Sequence, residues 1–512
     1  MAFDDPNLVS AAGLVPVLAL ADRAGLRELA DEHLSVPGDK GANAGLKVAS
    51  LVAGMVAGAD SIDDMALLRH GGMGRLFTSA YAPSTLGSFL RAFTFGHVRQ
   101  LDAVAARFLL TLARRGESAS PAPGISGGYA FVDVDDTVIA VHGHAKQGAG
   151  FGYTRVRGLN ALLATVTTAD SAPLVVAQRL RKGACASTRG AKRLVADAVK
   201  QTRRLLGPDQ PVLVRMDSAY YGRDAVHAAI TGGAYVSVTL RATPPVKAAI
   251  ASISHDAWTT IKYPHAILDE ATGTWVSKAE VAEVPFTAFA SKHPADQVRG
   301  RLVVRRIPDV HAEANKAAGQ GTLFDLWRFH AFFTTAPPQG PGGLDTVAAD
   351  KTHRGHAIIE QVHADLKSSA LAHLPSGVFA ANAAWLVLAV IAFNLTRAAA
   401  SLTEPHLAKA TTATICRKLI AVPSRVAHSG RQITLHLPTA RPWETAWSAL
   451  FDRSATRHQP ARSDHPAATA ARPQDHSGTP GQQGPTHHHV LHNLTRQGPA
   501  QTITARQSVD PG

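Results

Sequence analysis

The stretch Phe131-Val-Asp-Val-Asp-Asp-Thr-Val-Ile-Ala140 combines a β-strand pattern with three acidic side chains. Alternate residues of a strand point to opposite faces of a sheet. Asp133 and Asp135 are therefore expected on one face, and Asp136 on the other. Either of the first two is a candidate metal ligand. The alternative is that Asp136 and Thr137 end the strand and the aspartates cap local structure.

Short apolar segments surround this strand and alternate with helical patterns. In chain order, the predicted strands (β) and helices (α) are Tyr129–Val141 (β), Leu159–Thr168 (β), Pro173–Leu180 (β), Ser187–Leu206 (α), Pro211–Met216 (β), Arg223–Thr231 (α) and Ala234–Leu240 (β). The order β-β-β-α-β-α-β matches the RNase H-like fold, a mixed five-stranded sheet with helices on both faces. We therefore expect an α/β core.

Composition and periodicity divide the rest of the chain into regions. The predicted regions are a helical one (1–120), the first part of the core (121–245, opening with a linker at 121–128), a β-rich insertion (246–326), the second part of the core (327–402), a mixed helical segment (403–452) and a disordered tail (453–512). Within the first region, Pro83-Ser-Thr85 opens a helix with Ser84 or Thr85 as N-cap. That helix, bearing Arg91, either enters a DNA groove or packs in the core.

The chain is basic: 52 Lys and Arg against 39 Asp and Glu give its 512 residues a formal charge of +13. This balance predicts a polyanionic partner, nucleic acid first, although Arg-rich coding is an alternative. Cys185 and Cys416 are too far apart for a zinc cluster or a disulfide framework, which indicates a reducing compartment. No signal peptide is evident, and the longest apolar run, Ala383–Phe393, is too short to span a bilayer and predicts a buried helix.

A further acidic residue, Asp217, ends the apolar run Pro211-Val-Leu-Val-Arg-Met-Asp217. Ligands of open α/β sheets bind at the carboxyl ends of strands, so Asp217 is a stronger candidate than an acid within a strand. Tyr220 and Tyr221 follow at once, and they either stack on a base or pack against the sheet.

Another acidic residue, Glu360, lies in a helical pattern that runs from about Thr352 to Ser369. His353, His356, Glu360, His363 and Lys367 recur at spacings of 3, 4, 3 and 4, which predicts one helix face. Three interpretations stay open. The stripe holds a metal carboxylate with cationic phosphate contacts, or it is a histidine-rich zinc helix, or it is a polar surface. The zinc reading lacks a His-Glu-x-x-His pattern.

Together these segments resemble the DDE transposases of bacterial insertion sequences, in the cut-and-paste branch with a β-rich insertion before the catalytic Glu. Asp135-Asp-Thr137 resembles the Asp-x-Thr strand of that branch, which selects Asp135 over Asp133. Arg215-Met-Asp217-Ser resembles its Arg-x-Asp-Ser motif. Glu360-x6-Lys367 resembles the end of its Tyr-x2-Arg-x3-Glu-x6-Lys pattern. His353 and His356 stand where that pattern has Tyr and Arg, and Arg354 lies beside them.

The resemblance implies cleavage at terminal inverted repeats and strand transfer into target DNA. It implies that Asp135, Asp217 and Glu360 are catalytic and hold two Mg²⁺ ions, with Mn²⁺ as a substitute. Lys367 would contact a backbone phosphate, with His356 or Arg354 nearby. A homodimer on DNA and a cytoplasmic, nucleoid-associated location are also implied. The alternatives are a catalytically inactive, sequence-specific DNA-binding descendant and a structure-selective nuclease.

Basic side chains supply a second kind of candidate DNA contact. Those predicted to share one helix face are Arg189, Lys192, Arg193, Lys200 and Arg203. The alternative is a solvated helix face. A second basic cluster lies in the insertion and comprises Arg299, Arg301, Arg305 and Arg306. If these clusters bind phosphates, affinity for DNA falls steeply as salt rises.

Overall fold

A computed structural model describes residues 2–114, 128–169, 171–269, 274–308, 327–340, 342–429, 432–455 and 502–505. The predicted linker, apart from residue 128, lies outside the described residues. So does the predicted tail, apart from residues 453–455, which end a helix, and 502–505, which form a strand.

The N-terminal region is helical, as predicted. After strand β1 (Leu8–Val9) the helices are α1 (Leu14–Arg23), α2 (Leu26–His33), α3 (Ala44–Val56), α4 (Met73–Leu76), α5 (Pro83–Arg91) and α6 (Phe95–Arg114). Pro83 is the first residue of α5, after an extended Ala82, and no side chain caps the helix. The predicted Ser84 or Thr85 cap is therefore wrong, because proline at the first helical position starts the helix without one. Helix α5 buries Phe89 and Leu90 in the core.

The predicted β-β-β-α-β-α-β order is present. Its elements are β2 (Ala130–Ala140), β3 (Gly150–Phe151), β4 (Arg157–Thr167), β5 (Leu174–Lys182), α7 (Ala191–Leu206), β6 (Val212–Met216), α8 (Arg223–Thr231) and β7 (Tyr235–Leu240), with the two-residue β3 as an addition. Strand β4 lies antiparallel between β5 and β2, whereas β2, β6 and β7 are parallel neighbours. Apolar residues of α7 and α8 cover one face of these strands.

The insertion extends this sheet. It contains α9 (Pro244–Ala251), β8 (Thr259–Asp269), β9 (Thr274–Ala288) and β10 (Val298–Pro308), and β11 (Trp327–Thr334) follows it. Strand β11 pairs with β7, so the sheet runs β3-β4-β2-β6-β7-β11-β10-β9-β8, with β5 beside β4. The predicted five strands thus form one end of a ten-stranded sheet, and the strands of the insertion and β11 extend it beyond β7. The edge of β7 offers unpaired backbone groups, which β11 satisfies.

The C-terminal part packs on the other face. It contains α10 (Thr346–Arg354), α11 (Ile358–Lys367), α12 (Phe379–Ser401), α13 (Pro405–Ala408), α14 (Thr412–Ile415), β12 (Ser424–Ser429), β13 (Gln432–His436), α15 (Glu444–Ala455) and β14 (Thr502–Ala505). Strands β1, β12, β13 and β14 form a second sheet. Helix α12 is long and apolar enough to cross a membrane, but 89% of its most apolar window is buried inside the protein. It is a core helix, as predicted, and its bounds match the helix that the sequence predicts over residues 380–402.

The helix predicted near residues 352–369 is instead two helices joined by a 3₁₀ turn, Gly355–Ala357. The Arg215 side chain donates a hydrogen bond from Nη1 to the carbonyl oxygen of Thr352 at 2.6 Å. A continuous α-helix would direct the His356 amide to that oxygen. Gly355 lies against the same guanidinium, where a Cβ would crowd Nη1. The interruption therefore has a tertiary cause.

Helix α12 also supplies hydrogen bonds to an irregular position in the sheet. The pairing of β4 with β5 shifts register between Ala164 and Thr165. There the Asn394 amide accepts from the Val175 N–H at 3.0 Å and donates to the Val175 carbonyl at 2.8 Å. One buried side chain thus satisfies both backbone groups of a residue at a β-bulge.

Asn394→Leu should therefore lower the free energy of unfolding by about 2–4 kcal/mol, because two buried backbone groups lose their partners. Urea denaturation would measure the loss. Thr396→Val is the matched control, since its hydroxyl bonds only to the helical carbonyl of Ala392. A loss no larger than that of the control would contradict the role given to Asn394.

Candidate active site

Four aspartates lie at the junction of β2 and β6, and their surroundings divide them into two pairs. The parallel register places Asp133 beside Arg215 and Val134 beside Met216. The next positions in that register are Asp135 and Asp217. Both lie at the carboxyl ends of the paired segments, the edge where open α/β sheets bind ligands.

Asp133 is fully buried and neutralised. The Arg215 guanidinium donates to its two carboxylate oxygens, from Nε and Nη2, at 2.7 Å each. His356 Nδ1 lies 2.9 Å from Oδ1 of the same carboxylate. Arg215 also stacks over the Phe131 ring, with 4.4 Å between the guanidinium carbon and the ring centroid. Asp133 therefore belongs to a structural ion pair, and both of its carboxylate oxygens already accept hydrogen bonds.

Asp136 lies on the opposite face, as strand alternation predicts, and it is buried too. Its carboxylate accepts hydrogen bonds from the Asn160 amide and the Tyr220 hydroxyl, and Arg181 Nη2 lies 3.0 Å away. Arg181 also donates to the backbone carbonyl of Ser187 at 2.7 Å. This network ties β2 to the turn that follows Asp217. Of the two sequence interpretations of Tyr220, packing is therefore the one observed.

Tyr221 packs as well. Its ring stacks on Phe289, with 5.0 Å between the centroids.

Among the described residues, no arginine forms an ion pair with Asp135 or Asp217, and only the more distant His356 offers them positive charge. Burial raises the pKa of Asp135 to about 7, and the charges of Asp217 and Asp136 contribute to the rise. Burial also raises the pKa of Asp217, although a hydrogen bond from the Ala219 amide to its Oδ1, at 2.9 Å, opposes the shift. Two carboxylates that repel each other and lack a buried cationic partner form a site suited to a bound cation.

Glu360 lies in the first turn of α11 and is exposed. The helix packs on β2, and Lys367 Nζ lies 3.4 Å from Thr137 Oγ1, two residues beyond Asp135. Across the described ranges, no three His, Cys, Asp or Glu side chains converge as metal ligands. The structure therefore brings together the two aspartates, with Lys367 near their strand, and leaves Glu360 outside a three-ligand cluster.

The predicted stripe of five polar residues does not form one exposed face. His353 is half-buried, stacks on Phe332 with ring centroids 4.1 Å apart, and lies with Nδ1 2.8 Å from Ser237 Oγ. His363 is buried, with Nδ1 3.9 Å from Asp135 Oδ2. The 3₁₀ turn rotates α10 relative to α11, so spacings valid for one helix do not hold across it. The zinc-helix reading is therefore wrong for this arrangement.

Burial keeps two of these histidines neutral. It lowers the pKa of His353 to about 3 and that of His363 to about 4. The unfolded chain binds protons near pH 6.5, so these groups stabilise the fold above that pH. Their contribution is lost as pH falls from 6.5 towards the folded-state values.

As the pH falls from 7 to 5, the two histidines together should cost about 2–4 kcal/mol of stability, while the raised pKa of Asp135 acts in the opposite direction. His353→Gln should remove roughly half of this dependence, as measured by urea denaturation at several pH values. His142→Gln, at an exposed position, is the control and should leave the slope unchanged. An unchanged slope in the His353 variant would show that this histidine does not titrate on unfolding.

Comparison with protein families gives a match over nearly the whole chain. The model for "Transposase DDE domain group 1" matches residues 1–458. The chain belongs to this family. No curated protein matches it. Family membership makes the chain an RNase H-like α/β protein and a metal-dependent transposition enzyme that acts on DNA.

The basic residues predicted for DNA contact separate into exposed and structural groups in this transposase. Lys192, Arg193 and Lys200 line an open groove of about 810 Å³ between α7 and α8. Arg203 lines it too, but donates to the carbonyls of Gly232 and Gly233 at 2.9 and 2.6 Å. Arg203 therefore joins the ends of the two helices.

Arg189 precedes α7 and so does not share its face, contrary to the prediction. Arg354 lies 3.9 Å from the Asp350 carboxylate. In the insertion, Arg301 and Arg306 are tied down by Glu283 and Glu280, each at 2.5 Å. The second basic cluster is thus partly structural, because β9 supplies acids opposite the arginines of β10.

The sequence does not predict the roles that three residues have in this transposase site. Arg215 and Arg181 neutralise Asp133 and Asp136, and His363 lies against Asp135. A buried arginine in a strand pattern is itself a signal, since such a charge requires a partner in the core. The partner depends on the pairing of strands that are distant in sequence. A buried arginine in the sequence therefore predicts an ion pair but not which acid forms it.

Proposed function

We propose that this transposase cleaves DNA at the terminal inverted repeats of an insertion sequence and joins the ends to target DNA. Asp135, Asp217 and Glu360 would be its catalytic triad. One observation carries the proposal. Of the four aspartates at the β2–β6 junction, two are neutralised by arginine, and two have raised pKa values.

Uncompensated carboxylates fit a divalent cation, and oxygen donors suit Mg²⁺, with Mn²⁺ as a substitute. Asp135, Asp217 and Glu360 would hold two such ions. When bound, they supply activation of the nucleophile and neutralisation of charge on the leaving oxygen. Lys367 would bind a backbone phosphate beside Asp135. His356 orients Asp133 through Nδ1, so its contribution to DNA contact would come from its remaining ring edge.

The groove between α7 and α8 would bind flanking duplex through Lys192, Arg193 and Lys200. The helical region 1–120 would recognise the ends, with 121–245 and 327–402 as the catalytic core. Two ends must be joined in one reaction, so a homodimer on DNA is expected. The enzyme would act in the bacterial cytoplasm at the nucleoid.

The deciding experiment is cleavage of duplexes taken from the DNA that flanks the gene, with Mg²⁺ or Mn²⁺. Glu360→Gln should lower the rate by about 1000-fold or more, because metal contacts supply several kcal/mol to such transition states. Glu404→Gln, in the same part of the chain, is the control and should cleave normally. Normal cleavage by the Glu360 variant would remove Glu360 from the triad.

An inactive, sequence-specific DNA-binding protein is the second candidate. His353 and His356 at the motif positions favour it, together with the exposure of Glu360. It predicts binding to flanking inverted repeats without cleavage under any divalent cation. The same assay, read beside a binding titration, separates the two.

A further inference from the structure

A hairpin loop beside the candidate carboxylates exposes aromatic side chains. In the described residues, eight large hydrophobic side chains are exposed, namely Phe3, Leu8, Leu67, Phe95, Phe151, Tyr153, Val156 and Ile230. Three of the eight fall in residues 151–156, which we call the aromatic loop. Phe151 is 66% exposed and Tyr153 71%. Clustered exposed apolar surface of this kind marks an interaction site.

Strand register places the aromatic loop at the edge of the sheet that carries the carboxylates. The loop joins β3 to β4, and Gly158 at the start of β4 pairs with Ala140 at the end of β2. Asp135 lies five residues before that end. Partial burial raises the pKa of the Tyr153 hydroxyl, with further contributions from Asp136, Asp135 and Asp217. A Cβ on Gly152 would contact the Val138 side chain, so the aromatic loop packs on β2 three residues beyond Asp135.

The stem of the loop is fixed. A Cβ at Gly183 would collide with the carbonyl oxygens of Gly158 and Gly150, so three backbone segments pack directly together. The Gly183 amide donates to the Gly148 carbonyl at 2.9 Å. Arg157 Nη1 donates to the Gly143 carbonyl at 2.7 Å. Rings held on a rigid stem lose little freedom when a partner binds.

We propose that Phe151 and Tyr153 stack on an unpaired base of the DNA strand, next to the phosphate that divalent cations would hold at Asp135 and Asp217. This rests on the proposed function. The occupant is a nucleobase because a phosphate at these carboxylates brings its neighbouring bases to the same sheet edge. Each base offers an apolar face, and the exposed Arg155 in the same loop suits the adjoining phosphates.

The test uses the full-length protein and duplexes whose end nucleotides are unpaired and carry 2-aminopurine. Ca²⁺ replaces Mg²⁺, so that the carboxylates hold a cation, and a gel checks that no strand is cut. Wild type should quench the probe on binding. Tyr153→Ala and Phe151→Ala should lose the quench and bind these ends roughly tenfold more weakly. Their affinity for fully paired duplex should not change. Tyr153→Phe keeps the aromatic ring, and Thr154→Ala changes a loop residue that has no ring. Both control variants should therefore match wild type in quench and in affinity.

A quench that persists in the Tyr153→Ala, Phe151→Ala double variant would overturn the proposal. If wild type also cleaves normally, only the stacking role fails. A wild-type protein that binds no DNA would overturn both proposals. If the double variant instead loses self-association in sedimentation and keeps the quench, the aromatic loop contacts a second copy of the chain, and base stacking is wrong.

Discussion

Asp135→Asn should abolish DNA cleavage and at the same time stabilise the metal-free protein. Cleavage should fall by about 1000-fold or more, because a carboxylate ligand to the cations is lost. The stability gain arises because burial makes the charged form of Asp135 unfavourable in the folded state, which raises its pKa to about 7. A neutral amide removes that cost, which is on the order of 2–4 kcal/mol above pH 7. The melting temperature should rise by about 5 °C.

The pH dependence of this gain is specific to a raised carboxyl pKa. The unfolded carboxyl loses its proton near pH 3.8, whereas the folded one keeps it until about pH 7. Between these values the folded state binds the extra proton, so stability falls as pH rises. The difference between variant and wild type should therefore grow from pH 4 to 7 and then level off. Thermal melting in EDTA at several pH values measures it.

Metal titration gives an independent readout. Mg²⁺ should raise the melting temperature of wild type, because binding to the folded state stabilises it. It should have much less effect on Asp135→Asn. Asp197→Asn, at a partly exposed surface acid on α7, is the control and should keep the metal response. If the Asp135→Asn protein is less stable than wild type and still cleaves DNA, Asp135 is a structural residue and not a metal ligand.

The sequence predicts those features of the site that are determined by neighbouring residues in the chain, and not those determined by contacts between distant segments. Strand alternation correctly separated Asp136 from Asp133 and Asp135, since it needs only the period of a strand. It gave no choice between Asp133 and Asp135, because that choice depends on Arg215, which meets Asp133 only through the parallel register of β2 and β6. The family resemblance selected Asp135, and the ion pair supplies a physical reason for that selection.

The same distinction explains what was missed in the helices and the sheet. The apolar pattern around Glu360 predicts a helix but not its interruption, which Arg215 causes from another element. The sequence predicts the β-rich character of the insertion but not its connection to β7 through β11, because periodicity carries no information on strand partners. Arg203 has the spacing of a surface cation and instead binds carbonyls beyond the end of α8.

Asp133→Asn should have the opposite outcome to Asp135→Asn: it should destabilise the fold and leave the metal response intact. The amide offers one acceptor where Arg215 now has two, and it leaves a buried guanidinium uncompensated. Breaking one side of a buried pair costs about 3–5 kcal/mol. Urea denaturation should show this loss, while Mg²⁺ should still raise the melting temperature.

A double variant checks that the loss comes from the charge. Asp133→Leu combined with Arg215→Met removes both charges, so it should be more stable than Asp133→Asn alone. If Asp133→Asn instead abolished the metal response at little cost in stability, Asp133 would be the ligand and Asp135 its neighbour. The two adjacent positions on one strand face thus have opposite predicted signatures, because one carboxylate is compensated by arginine and the other awaits a cation.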